Sequence, residues 1–198
     1  MIEKALADIR STQDLLEKAM KLSGLVTTLF KEVGWDLVVV GGSAVEFYTE
    51  GAYMSGDVDF CRRTLPPIPL RVAQDVMSQL EATGGPRSWL AAGLFVDLLG
   101  PVENEAVTPY RDLQTPYGTV SILPVELVLV ERVLTAVYPR PDAEARGVAT
   151  KLMTVCLKGA VSIDWQEVER LAALPAFRIT EEFRRFKKEV ADEIASAP

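Results

Sequence analysis

Leu37-Val38-Val39-Val40-Gly41-Gly42-Ser43, then Asp57-Val58-Asp59-Phe60, and later Phe95-Val96-Asp97-Leu98-Leu99 are the segments on which the fold turns. The first is an apolar run too short and too uniform for anything but a buried strand, and it enters a Gly-Gly-Ser turn. In the second, alternation along a strand puts Asp57 and Asp59 on one face while Val58 and Phe60 are buried on the other. A solvent-facing Asp pair is unusual in a strand, because Asp is depleted there. Two carboxylates side by side repel, and a hard divalent cation between them reverses the sign. Oxygen ligands of this kind suit Mg²⁺ (or Mn²⁺), commonly held by one or two carboxylates plus substrate phosphates. A glycine-rich turn opening a helix offers backbone N–H groups to an anion. Asp97 places a third carboxylate in another apolar run. The reading is a phosphate-and-metal site.

Composition narrows the chemistry. The 198 residues include no histidine, which removes Ser-His-Asp and Cys-His catalysis, histidine zinc sites and histidine bases together. Cys61 and Cys156 lie far apart with no CxxC spacing and read as buried thiols in a reducing compartment. The net charge is −7, so no global basic field draws nucleic acid. The run Arg178, Arg184, Arg185, Lys187 and Lys188 is interleaved with Glu181, Glu182 and Glu189 and reads as a solvated helix face. The opening residues lack signal-peptide order, and no apolar run reaches the ~18 residues of a membrane span. A cytoplasmic protein without a membrane partner is expected.

Around the decisive segments, residues 2–33 read as helix broken near Ser11, with Gly34 after its end. Ser43 is placed as the N-cap of a short helix reaching Tyr48. A loop over 50–56 delivers strand 57–62. A helix over about 70–82 is expected to stop at Gly84-Gly85-Pro86. Residues 89–92 and 94–99, separated by Gly93, read as a hairpin or a bent pair of strands, and a further strand is expected at Thr119–Leu123. From Pro124 onward only helices are expected, over about 125–137, 143–158, 164–172 and 179–195, with Asp164 as an N-cap. Trp35, Trp89 and Trp165 read as packing residues. The division is an α/β module over 1–123 and a helical region over 124–198. The fold class is α+β, a mixed sheet with flanking helices followed by helices alone.

The ordered set Gly41-Gly42-Ser43, Asp57-Val58-Asp59 and Asp97 resembles the nucleotidyltransferase superfamily of DNA polymerase β and its minimal relatives. The longer strings Gly41–Thr49 and Ser55–Phe60 look closest to the abortive-infection, AbiEii-like group, which includes toxins of type IV toxin–antitoxin systems. The resemblance implies that Gly41, Gly42 and Ser43 hold the β- and γ-phosphates of an NTP. It implies that Asp57, Asp59 and Asp97 bind Mg²⁺ (or Mn²⁺) and that Asp97 helps deprotonate the attacking hydroxyl. Glu126 and Arg132 occupy a helix that begins the substrate-side region in such proteins. Arg132 is implied in triphosphate binding, where toxin-type members carry a lysine. The chemistry implied is NMP transfer to an RNA end, a protein hydroxyl or a small molecule, with release of pyrophosphate. Implied partners are the NTP, an acceptor such as tRNA or another protein, and a cognate antitoxin. Two other readings of the same residues are a catalytically silent nucleotide- or partner-binding module, and a glycosyltransferase using Asp-x-Asp. The second needs a larger donor domain than this chain supplies.

Overall fold

A computed structural model describes residues 2–63, 66–103 and 106–196. Among these, helices α1 (Ile2–Ser11) and α2 (Leu15–Glu32) precede strand β1 (Leu37–Val39) and helix α3 (Gly41–Tyr48). Then come β2 (Asp57–Arg62), α4 (Leu70–Gln79), β3 (Thr83–Gly84), β4 (Ser88–Ala91), β5 (Leu94–Pro101), β6 (Arg111–Thr115) and β7 (Gly118–Ile122). Helices α5 (Val125–Val137), α6 (Ala143–Leu157), α7 (Trp165–Ala173) and α8 (Thr180–Ser196) complete the chain.

The chain divides into two compact units. The first holds Met1–Phe47, Met54–Glu103 and Tyr110–Leu123, and the second holds Tyr48–Tyr53, Asn104–Pro109 and Pro124–Pro198. The sheet unit is built on a seven-stranded mixed sheet in the order β3-β4-β5-β2-β1-β7-β6. β2 runs antiparallel to β1 and parallel to β5, and β1 runs parallel to β7. Val38, Val39, Val58, Phe60, Val96, Val120 and Ile122 are buried along these strands. Helix α2 packs on β1 and β7. Gly24 permits that approach, because a Cβ there would lie 1.9 Å from Thr115 Oγ1. Thr28 Oγ1 donates to the Tyr117 carbonyl at 2.8 Å and ties the helix to the β6–β7 turn.

Helix starts follow the short polar residues. Asp14, Asp142 and Asp164 each accept a backbone N–H from the first turn of α2, α6 and α7. Three local expectations are corrected. Ser43 is not an N-cap: α3 begins at Gly41, and Ser43 lies buried in its first turn. Helix α4 ends at Gln79 rather than about 82, because Glu81 takes a left-handed φ of 52° and Thr83–Gly84 pair with β4. Strand β6 was not expected; its sequence Arg-Asp-Leu-Gln-Thr is polar because it forms the sheet edge, half in solvent.

The helical unit buries one face of each helix, including Leu127, Val130, Leu152, Met153, Leu171, Phe183 and Phe186. Helix α5 packs against α6, α7 and α8. No helix of the described residues is long and apolar enough to cross a membrane.

Candidate functional site

The site grows from the junction of β1, α3 and β2. The Val40 N–H donates to the Asp59 carbonyl at 3.0 Å, and the first intrahelical bond of α3 runs from the Ala44 N–H to the Val40 carbonyl at 3.1 Å. The N–H groups of Gly41, Gly42 and Ser43 therefore stand ahead of the helical ladder, at the positive end of the helix dipole. Gly41 has a φ of +64°, a conformation that glycine adopts without strain. A Cβ on Gly41 would lie 2.6 Å from Asp59 Oδ2. Glycine here thus serves both the turn and the close seating of the Asp59 carboxylate against the helix start.

The buried Ser43 hydroxyl is a strand clamp. It accepts the Asp59 N–H at 2.9 Å and donates to the Asp57 carbonyl at 3.1 Å. That fixes the backbone on both sides of Val58. A second tether comes from Glu46, which is fully buried on α3. Its carboxylate accepts both the N–H and the hydroxyl of Ser55 at 2.8 Å. The Ser55 hydroxyl in turn lies 2.9 Å from the Asp57 carbonyl. Two residues of the Gly41–Tyr48 helix therefore fix where the Asp-x-Asp strand begins. Glu46 lies inside the Gly41–Thr49 string, and its role is not evident from the sequence. Its signal was an acid among apolar neighbours, Val45 and Phe47, on a helix with one buried face.

The register sets the acids together. Asp57 stands beside Phe95 and Asp59 beside Asp97 in the parallel β2–β5 pair. Asp57, Asp59 and Asp97 are all half-buried on the face opposite Val58, Phe60, Val96 and Leu98. One carboxylate oxygen from each lies within 4.8 Å of those of the other two. Among the described residues this is the one such cluster of acid, Cys or His ligands. Asp97 Oδ1 is buried without a hydrogen-bond partner. A buried carboxylate oxygen left unpaired costs about 1–3 kcal/mol, and a cation bound through that oxygen would remove the cost. The donor set is all oxygen, which fits Mg²⁺ or Mn²⁺ and not a thiolate- or imidazole-seeking metal.

Arg132 lies on α5 in the helical unit, half-buried, with its Nε lacking a hydrogen-bond partner. Glu126, on the same helix, is a structural residue. It accepts the Thr108 hydroxyl at 2.9 Å and the Asp164 N–H at 2.8 Å. Glu167 accepts the Val107 N–H at 2.7 Å and pairs with Arg170 at 2.6 Å. The Arg170 hydrogen bonds hold the Glu167 carboxyl below its ordinary range, helped by the Val107 N–H. Cys156 is buried, and burial, with the Glu126 charge adding to it, pushes its thiol up to about 12. It is inert at neutral pH. Two members of the C-terminal basic run are engaged inside this unit: Arg184 pairs with Glu169 and Glu181, and Lys187 lies 3.5 Å from the centre of the Trp165 ring.

No protein-family model matches the chain, and no curated protein matches it. Among solved structures, the chain is similar to an antigenic nucleotidyltransferase-like protein from Paracoccidioides brasiliensis, at 12% identity and a TM-score of 0.52. That match covers 87% of this chain and 94% of the other. Two structures of the antibiotic-resistance factor ANT(2″)-Ia lie further away. One, in solution, has 13% identity, a TM-score of 0.49 and covers 90% of this chain and 100% of the other. The second, in complex with adenylyl-2″-tobramycin, has 14% identity, a TM-score of 0.47 and covers 79% and 95%. The chain has the α+β fold of a nucleotidyltransferase-like protein, with a mixed seven-stranded sheet and flanking helices.

Proposed function

We propose that this protein is a divalent-metal-dependent nucleotidyltransferase that moves an NMP group from an NTP to an acceptor hydroxyl. The observation that carries the reading is the Asp57–Asp59–Asp97 cluster, with a buried unpaired oxygen, set against a helix start that needs glycine. Asp57, Asp59 and Asp97 hold Mg²⁺ or Mn²⁺, which when bound supplies charge neutralisation for the phosphate oxygens. The backbone N–H groups of Gly41, Gly42 and Ser43 hold the β- and γ-phosphates. The Ser43 side chain, bonded to β2 on both sides, is a positioning group rather than a phosphate donor.

The acceptor oxygen forms its bond to the α-phosphorus as the bond from that phosphorus to the β-bridging oxygen breaks. Pyrophosphate leaves, and Asp97 takes the hydroxyl proton. Positioning and fixed charge provide the acceleration, so no histidine is needed. In this reading residues 1–123 form the catalytic module and residues 124–198 a substrate-side region. Arg132 contributes to triphosphate affinity, and Arg132→Ala raises KM for the nucleotide. The acceptor hydroxyl belongs to an RNA end, a protein or a small molecule. A toxin with a cognate antitoxin, acting in the cytoplasm, is the macromolecule-directed form of this reading.

Incubation with each α-labelled NTP, Mg²⁺ and total tRNA, or with the protein alone, tests it. Label transfer or pyrophosphate release that Asp57→Ala abolishes supports the reading. Nucleotide binding that is indifferent to both Mg²⁺ and Asp57→Ala contradicts it.

A further inference from the structure

The strand register extends beyond the acids. Leu90 on β4 pairs with Phe95 on β5, and Phe95 pairs with Asp57 on β2; the next row is Ser88, Asp97 and Asp59. Residues paired across strands share a face, so Leu90 and Phe95 lie on the same face as the three carboxylates, beside Asp57. The opposite face of the same strands, with Trp89, Ala91, Val96 and Leu98, is buried. Phe95 is 53% exposed and Leu90 41% exposed. Two large apolar side chains thus form an open shelf next to a polar cluster. Strands β4 and β5 need no such residues for packing, since their core face is already filled.

The position of the shelf decides what it holds. Gly41 abuts Asp59, so the phosphate-binding helix start enters from the β1 side of β2, while β5 and β4 lie on the other side. In-line displacement puts the attacking oxygen opposite the departing pyrophosphate. With pyrophosphate on the β1 side, the acceptor arrives over β5 and β4, where Leu90 and Phe95 are. Neither strand carries a Lys or Arg, and the chain's net charge is −7, so a polyanion finds no counter-charge there.

Building on the nucleotidyltransferase reading, we infer that Leu90 and Phe95 form the acceptor platform, and that the acceptor is a small, non-anionic alcohol with a flat apolar ring face. The Phe95 ring stacks on that face and Leu90 flanks it, which brings the adjoining hydroxyl to Asp97.

Two uncharged probes that differ only in the ring, phenyl β-D-glucoside and methyl β-D-glucoside, are titrated against the full chain. Binding is followed by Leu methyl and Phe ring NMR signals, with and without Mn²⁺. The phenyl compound is expected to bind about tenfold more tightly, the order given by covering one ring face. It should shift the Leu90 and Phe95 signals, which bound Mn²⁺ also broadens. Phe95→Ser and Leu90→Ser remove the preference, Phe95→Trp restores it, and none of the three changes Mn²⁺ affinity. Equal binding of the two probes, with Mn²⁺ still broadening these signals, overturns the platform and leaves the metal reading intact. Absence of Mn²⁺ binding, even with a non-hydrolysable NTP added, overturns the metal reading and the platform with it. Two further results overturn the platform alone: shelf signals shifted by a short RNA and not by the phenyl probe, or a dimer that Phe95→Ser dissolves.

Discussion

The three clustered acids of the sheet unit and the buried acids of the helical unit are treated in opposite ways. On α5 and α7, Glu126 and Glu167 are buried, and each carboxylate is satisfied by protein donors: a hydroxyl, backbone N–H groups or a guanidinium. On β2 and β5, three carboxylates face one another within 4.8 Å, and Asp97 keeps a buried oxygen without a partner. The first arrangement fastens the 106–108 segment and the loop before α7 to the helices. The second stores repulsion in a fold that surrounds it with tethers, Glu46 to Ser55 and Ser43 to β2. Glu126 and Glu167 are satisfied within the chain, whereas Asp97 is positioned beside two other carboxylates with one buried oxygen unpartnered.

The contrast breaks first at Glu126. Glu126→Ala leaves the Thr108 hydroxyl and the Asp164 N–H without their partner and opens a void, so unfolding free energy should fall by about 3 kcal/mol. Urea denaturation measures it, and a loss under about 0.5 kcal/mol would remove the structural assignment. Gly41→Ala adds a Cβ 2.6 Å from Asp59 Oδ2 at a φ of +64°. The expected cost is about 1–3 kcal/mol, accompanied by weaker Mn²⁺ binding because the Asp59 carboxylate must move.

Asp97→Asn should do the reverse of Glu126→Ala. Without metal it relieves like-charge repulsion, so stability should hold or rise by about 0.2–1 kcal/mol, seen as a higher Tm in chelator. A clear fall in Tm would show Asp97 to be a structural acid. Glu167→Gln puts an amide nitrogen in place of a buried acceptor oxygen that faces Arg170 or the Val107 N–H, and should cost about 1 kcal/mol at neutral pH. A further effect lies in the pH profile. The Glu167 carboxyl is held below its ordinary value, so its contribution is complete above the unfolded value and disappears as pH falls through the folded one. The variant should therefore show a shallower loss of stability on the acid side than the wild type.

Much of this was legible in the sequence because the informative residues break a local rule. Asp57 and Asp59 are acids in a strand, and their period of two fixed the shared face before any register was known. Gly41 and Gly42 follow an apolar strand, which marks the turn. Asp97 could be nominated, but its neighbour on β2 depended on parallel pairing across a long connection. Ser43 misled for a physical reason: a serine at a helix start reads as a cap, and only the structure shows its hydroxyl turned under the helix to bond β2. Strand β6 was missed because an edge strand has little apolar alternation. Leu90 and Phe95 escaped notice because each is ordinary in a hairpin, and only their exposure beside Asp57 makes them informative.

The most direct test of the central claim is Mn²⁺ binding, followed by electron paramagnetic resonance, in the wild type and in Asp97→Asn. The account predicts stoichiometric binding that a non-hydrolysable NTP tightens, with affinity lost at least tenfold in the variant. Binding that is the same in both proteins, or absent from the wild type even with nucleotide, would contradict it.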